Sequence, residues 1–393
     1  MQKLIIFFIS LVFVAAKSPE IQWVRTYWGK DGISGGSVQE TSDGGFIIAG
    51  TTSKINFGTN VGILSGSYSR IFIIKTDKNG NFLWKKEYDE WIHGGAVFET
   101  QGGDFIIFGH KWYHKEIHII SIDSAGDVKW TRTYEWLKKY SISSVRKEED
   151  GGFILLGKIG QFLDKDQDIF LMKIDSLGDT LWIKRFGGEF VDSPSFFQKE
   201  SDAGYMIIGS KCYDELWSNF DIFLMKIDAK GNLLWTKTYG GEFSELAHAA
   251  QQTNDKGYII AGILHYWGGG KVDEDFYIIK ADSLGNILWE RRYGGKKYDE
   301  PSSVKQTKDG GFIIVGYTKS YGKGKTDAYI IRTDKEGKII WTKTYGGPND
   351  DKAASVHVTS DGGYIIVGST GDGRKSKSCV FLMKIKSDYE IQK

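Results

Sequence analysis

The sequence predicts an all-β chain: a seven-bladed β-propeller with four antiparallel strands per blade and a ring closed by the N-terminal strand. Three observations predict it. A unit of about 50 residues recurs along the chain. Each unit reads as four short strands. The two ends of the chain carry complementary parts of one further unit.

The copies align on one tryptophan: Trp23, Trp84, Trp130, Trp182, Trp235, Trp289 and Trp341. Upstream lies an Asp-x-x-Gly turn, as in Asp228/Gly231, and further upstream a block such as Asp309-Gly-Gly-Phe-Ile-Ile-Val-Gly316. In the sixth unit, strand a is expected at 303–307, b at 312–317, c at 328–333 and d at 339–344. Strands b and c are near-continuous apolar runs, which suits burial on both faces between neighbouring blades. The a–b and c–d links are tight and rich in Gly and Asp. Gly permits a positive φ there, and Asp hydrogen-bonds its own turn.

The ends complete the count. Residues 21–27 form a d strand with no a, b or c before it, and 355–358, 364–368 and 380–385 form a, b and c with no d after them. Together they make one blade, which closes the ring and removes exposed sheet edges. A linear solenoid would need no such matching ends.

A chain of 393 residues could hold two or three domains, but the repeat accounts for nearly everything after residue 20. One propeller domain is expected over 17–393. Residues 1–16 differ: Lys3 is the only charge, 4–14 is apolar, and Val14-Ala15-Ala16 offers small residues for cleavage. This reads as a secretory signal peptide, with an apolar stretch too short to span a bilayer. A secreted or periplasmic location follows as an expectation. Its removal takes Lys3 from 51 basic residues and leaves 50, against 50 acidic ones. That balance argues against nucleic acid or an anionic membrane as partner. Cys212 and Cys379 fall in distant blades, so burial is expected for both rather than a disulfide.

The b–c and d–a loops share one face in propeller geometry, and all variation in loop length falls there. Six tryptophans outside the anchor set (Trp28, Trp91, Trp112, Trp136, Trp217 and Trp267) are all assigned to these loops. Exposed aromatics on a rigid scaffold could stack on sugars or grip a peptide; they could equally plug gaps between blades. The first three blades depart most from the pattern and gather Trp, Tyr, His and Lys. The candidate ligand-binding residues are therefore Trp28, Trp91, His93, Trp112, Tyr113, His114, Trp136 and Tyr140.

Other chemistry is thinner. Acids recur four residues past the Gly-Gly pair (Asp192, Glu245, Asp299, Asp351) and at the opening of strand c (Asp168, Asp221, Asp275, Asp327). Recurrence favours a structural role, such as capping backbone N–H groups at the channel mouth; an acidic ring holding a cation is the alternative. The run Asp164-Lys-Asp-Gln-Asp168 lacks the Gly and Glu of a calcium loop. His114 and His118 lack the Glu and the helix of a zincin. No nucleophile elbow, phosphate loop or dinucleotide fingerprint occurs. No catalytic residue, metal ligand or cofactor is assigned.

The unit Asp-Gly-Gly-(Tyr/Phe)-Ile-Ile-x-Gly, then Lys-x-Asp-x-x-Gly-Asn-x-Leu-Trp, then Tyr-Gly-Gly resembles that of a widespread family of exported bacterial and archaeal repeat proteins, mostly uncharacterised. The resemblance covers about residues 21–386 and is closest in the fourth to sixth blades, as at 226–241. It implies a propeller and no particular activity. A weaker similarity is to quinoprotein-type propellers. The Asp228-to-Trp235 spacing is one residue shorter than theirs, and their cofactor is not carried over.

The functional expectation is an exported, monomeric, non-catalytic binding module. Its ligand would be a glycan, or an extracellular or envelope protein, on the variable-loop face. The alternatives are a carbohydrate-active enzyme with carboxylates at the channel mouth, and a structural component of an envelope assembly.

Overall fold

The computed structural model describes residues 19–28, 32–55, 67–88, 92–100, 102–111, 116–134, 140–160, 167–188, 191–200, 204–213, 219–241, 243–268, 271–371 and 378–388. Strands β1 to β28, in chain order, form seven four-stranded antiparallel sheets. Blades 1 to 6 are β2–β5 (32–88), β6–β9 (92–134), β10–β13 (140–186), β14–β17 (192–239), β18–β21 (244–293) and β22–β25 (299–345). Blade 7 is β26–β28 (351–385), completed by β1 (Ile21–Tyr27), which pairs with β28 from Ile21↔Ile385 to Tyr27↔Val380. The seven-bladed propeller with N-terminal closure is therefore the observed fold.

Among the described residues the apolar core is divided into seven clusters, each shared by two neighbouring blades. Ile208, Leu224 and Tyr239 of blade 4, for example, pack on Ala250, Ile260 and Ile279 of blade 5. Ile365 and Leu382 of blade 7 pack on Ile48 and Phe72 of blade 1, which closes the circle. The continuous apolar runs of strands b and c are buried on both faces, as their pattern requires.

The repeat motif is largely a blade-to-blade grip. The d-strand tyrosine donates its hydroxyl to the carbonyl of the Asp-x-x-Gly glycine in the next blade: Tyr27 to Gly80, Tyr88 to Gly126 and Tyr239 to Gly285, each at 2.8 Å. The anchor tryptophan lies on the same turn. Trp84 Nε1 donates to Ser124 O at 3.1 Å and Trp289 Nε1 to Lys335 O at 3.2 Å. Gly285 takes φ +78°, and a Cβ there would lie 3.1 Å from the Trp235 ring. At the closure, Asp388 supplies the missing acceptor and takes the Trp341 Nε1 hydrogen at 3.1 Å.

Within a blade, the lysine of strand c reaches the aspartate of the a–b turn. Lys75 pairs with Asp43 at 2.8 Å, Lys280 with Asp255 at 2.9 Å and Lys384 with Asp361 at 2.8 Å. Arg332 and Asp309 take these places in blade 6. In blade 2 both partners are gone together, replaced by Ser121 and Gly102.

Two expectations need correction. The a strands start earlier than the sequence suggested: β22 runs Asp299–Gln306 and β26 runs Asp351–Val358, so the acids four residues past the Gly-Gly pair, such as Asp299 and Asp351, lie in strand, not loop. A bulge absorbs the break in alternation and lets pairing continue beyond it. In blade 5 the expected b–c loop is mostly an extended hairpin, β19 (Tyr258–Gly268) with β20 (Lys271–Ala281), which places Trp267 on a strand. Its β-branched and aromatic residues suit continued pairing. Cys212 and Cys379 are both buried, in blades 4 and 7.

Candidate functional site

The a strands surround a central channel of about 510 Å³. All seven carry a register shift at the same level, for example between Ala247 and Ala249 or Pro301 and Ser303. A bulge re-aims the extra residue. In six blades the shift falls at small residues: Gly36, Gly95, Ser143, Ser195, Ser302 and Ala354. The seventh is His248, which lines the channel.

The His248 Nδ1 lies 3.7 Å from Glu300 Oε1, and its Nε2 makes no hydrogen bond among the described residues. Burial pushes the imidazole pKa down, so it is neutral at pH 7. Glu300 also accepts the hydroxyls of Tyr298 and Tyr317, whose rings stack 5.8 Å apart. Sequence reasoning missed this group because it sits on the repeating a strand. Its signal was one imidazole at a position that is small in the other blades.

The recurrent acids on the variable-loop face are built into the walls. Asp299 and Asp351 each accept the N–H of the second glycine of the preceding Gly-Gly pair, from Gly295 and Gly347, at 2.8 Å. The strand-c acid fills the space beside the first glycine; a Cβ on Gly240 would lie 2.0 Å from Asp221 Oδ1. Each pair thus joins an acid of one blade to an acid of the next, as Asp221 to Glu245. Burial, reinforced by Asp221, pushes the Glu245 carboxyl up to about 7. Among the described residues no group of three or more His, Cys, Asp or Glu side chains could hold a metal ion.

Of the ligand-binding candidates, Trp28 follows β1 and is 57 % exposed. Tyr140 is a core residue: its ring packs on Phe170 at 5.0 Å, and its hydroxyl accepts from Arg185 Nη2 at 2.6 Å. His93 lies in β6, its backbone paired with His110. Trp91, Trp112, Tyr113, His114 and Trp136 lie outside the described residues, as do Trp217 and most of the Asp164–Asp168 run. His118 is buried, with Nδ1 2.6 Å from Thr133 Oγ1.

No family model matches the chain. Over 177 residues it is 25 % identical to the regulatory protein FlaEY of Caulobacter vibrioides, covering 39 % of this chain and 18 % of that protein. The chain therefore spans less than a fifth of the curated relative it matches. Among solved structures it is similar to the polysaccharide lyase Uly1, with a TM-score of 0.59 at 10 % identity over 96 % of this chain and 94 % of that one. It is also similar to the β-propeller domain of the Trilobed protease from Pyrococcus furiosus, with a TM-score of 0.49 at 11 % identity over 93 % and 98 %. At these identities the likeness concerns the fold alone.

Proposed function

We propose that the chain is an exported binding module whose ligand, a glycan or an extracellular or envelope protein, is held on the face of the b–c and d–a loops. The difference between the two faces carries this reading. On the a–b and c–d face, the same turns recur blade after blade, with their backbone donors taken by their own aspartates, as Asp228 accepts Lys230 N and Asn232 N. On the other face the connections vary in length and composition, and exposed Trp28 belongs to it. Variable connections on a rigid ring are where recognition is placed.

A glycan-binding screen on the full chain, read by tryptophan fluorescence, tests it. Saturable quenching that is lost in a Trp112→Ala, Trp136→Ala double variant supports the reading. A flat response across a broad panel removes the glycan and leaves a protein partner, to be sought by cross-linking through the same loops. The second reading, a carbohydrate-active enzyme, draws on the neutral imidazole of His248 beside Glu300, since a histidine in that state can accept a proton. Cleavage of a bound glycan by the parent chain but not by His248→Ala would favour it.

A further inference from the structure

The residue of strand a that pairs with the second residue of strand b can be compared around the ring. It is Gln39, Gln198 and Gln251 in three blades and Phe98 in a fourth. In the other three it is cationic or can become so: Arg146, Lys305 and His357. The glutamines at this level include two blade-to-blade ties. Gln198 Oε1 accepts Gln252 N at 3.0 Å, and Gln251 Oε1 accepts Gln306 N at 2.7 Å. Among the described residues Arg146, Lys305 and His357 make no hydrogen bond or ion pair of this kind.

Two of the three line the channel. Lys305, from blade 6, places its ammonium 5.7 Å from the centre of the Phe196 ring of blade 4, so it reaches towards a wall two blades away. Lys305, His357 and Phe196 all line the cavity. Arg146 stands in blade 3 and is near enough to repel Lys305, and Lys305 in turn repels a proton on His357. Burial pushes both pKa values down before those repulsions add to it.

One carboxylate faces His357: Glu40, whose charge favours a proton there while Lys384 opposes it. Glu40 accepts Ser360 N and Oγ at 3.3 and 3.1 Å, and Glu99 accepts Ser42 N and Oγ at 2.8 and 2.6 Å. Lys199 pairs with Glu148 at 2.9 Å, and Lys147 donates to Glu99 O at 2.8 Å. All three side chains are half-buried, and two like charges that face one another repel; an anion placed between them offsets that repulsion.

We propose that Lys305 and Arg146, with a ring N–H of His357, form an oxyanion-binding site in the half of the channel nearest the a–b turns, suited to a carboxylate, sulfate or phosphate group. It lies toward the face opposite the variable loops and stands independently of the ligand proposed there. The Phe196 ring forms one wall of the same cavity, which leaves room for a small organic anion or the acidic end of a sugar chain.

The test is titration calorimetry and thermal melting of the full chain at low ionic strength. The probes are sulfate, inorganic phosphate and an oligogalacturonate, with chloride as the ionic-strength control. The expected result is saturable one-to-one binding of at least one probe, weakened about tenfold or more by Lys305→Gln, as loss of a charge-assisted contact implies. Lys323→Gln, at an exposed position, should leave it unchanged.

Without any probe anion, Lys305→Gln should melt higher than the parent, because a repulsion within the channel is gone. A merely structural lysine would give the opposite shift. Binding of sulfate or phosphate alone assigns a free inorganic ion; tighter binding of the oligogalacturonate assigns an acidic chain. The proposal is overturned if parent and Lys305→Gln respond equally, as sulfate's general stabilising effect would produce, or if Lys305→Gln melts lower without anion. Neither result bears on the loop-face screen, so the two readings fail separately.

Discussion

Lys280 Nζ lies 2.9 Å from Asp255 Oδ2, joining strand c of blade 5 to the a–b turn that leads into the neighbouring strand. The lysine side chain is 6 % exposed and the aspartate 57 %, and the ammonium also donates to Ala281 O at 3.0 Å. Removing the aspartate would strand a buried cation. Asp255→Ala should therefore cost ~2–3 kcal/mol in denaturant unfolding. The double variant Asp255→Ala, Lys280→Ser should recover part of that loss. Blade 2, with Gly102 and Ser121, already carries the pair removed from both sides. Strictly additive costs in the double-mutant cycle would show that the contact carries no coupling.

The grip between blades makes a second prediction. Gly285→Ala combines a left-handed backbone position with a Cβ pressed on the Trp235 ring, and should destabilise by ~2–4 kcal/mol. Tyr239→Phe removes only the 2.8 Å bond to Gly285 O and should cost ~1–2 kcal/mol. Blade 3, which carries Phe186 at the equivalent place, manages without that bond. Thermal melting should rank parent, Tyr239→Phe and Gly285→Ala in falling order.

A third concerns pH. Glu245 is raised from 4.5 to about 7, chiefly by burial and then by Asp221. The folded state therefore holds this proton more tightly than the unfolded state. Its contribution is most favourable below pH 4.5 and is lost as pH rises through 4.5 to about 7. Glu245→Gln can still accept Gly241 N–H and should stabilise the protein at pH 8 by ~1–3 kcal/mol while flattening the slope in that window. Asp43 and Asp361, lowered to about 2 by their lysine and threonine partners against the opposing effect of burial, act oppositely. Their stabilisation is lost as pH falls from 3.8 toward 2. An unchanged profile in Glu245→Gln would refute the assignment.

The fold was legible because its determinants are local and repeated. Trp235, Tyr239 and the turn Asp228-x-x-Gly231 announce themselves as spacing, and the paired ends announce closure. What the motif residues touch was not legible, since the Trp–Gly and Tyr–Gly contacts join different blades. The Lys280–Asp255 contact spans strand b, and nothing in either segment alone names the other. The extent of β22 was missed because Pro301 and the bulge interrupt its alternation. The candidate site was legible only as a preference for one face. His248, Arg146, Lys305 and His357 lay on strands read as scaffold. Only a position-by-position comparison of the seven a strands, in the register that pairing reveals, separates them from their small or glutamine counterparts.

The pairing of β1 with β28 also orders events in time. Ile21 and Ile385 are partners, so the first strand of the ring to leave the ribosome, or to emerge on the far side of a membrane if the chain is exported, has to wait for the last strand of the ring. Six blades can form from contiguous chain as it appears, but the seventh is assembled from opposite ends. Sequence separation of that size slows a folding step. Until it is complete, β28 offers an unpaired edge to any neighbouring molecule. Joining the present ends by a short linker and opening the chain between two other blades would make every sheet contiguous, and should shorten that exposed interval without changing the finished ring.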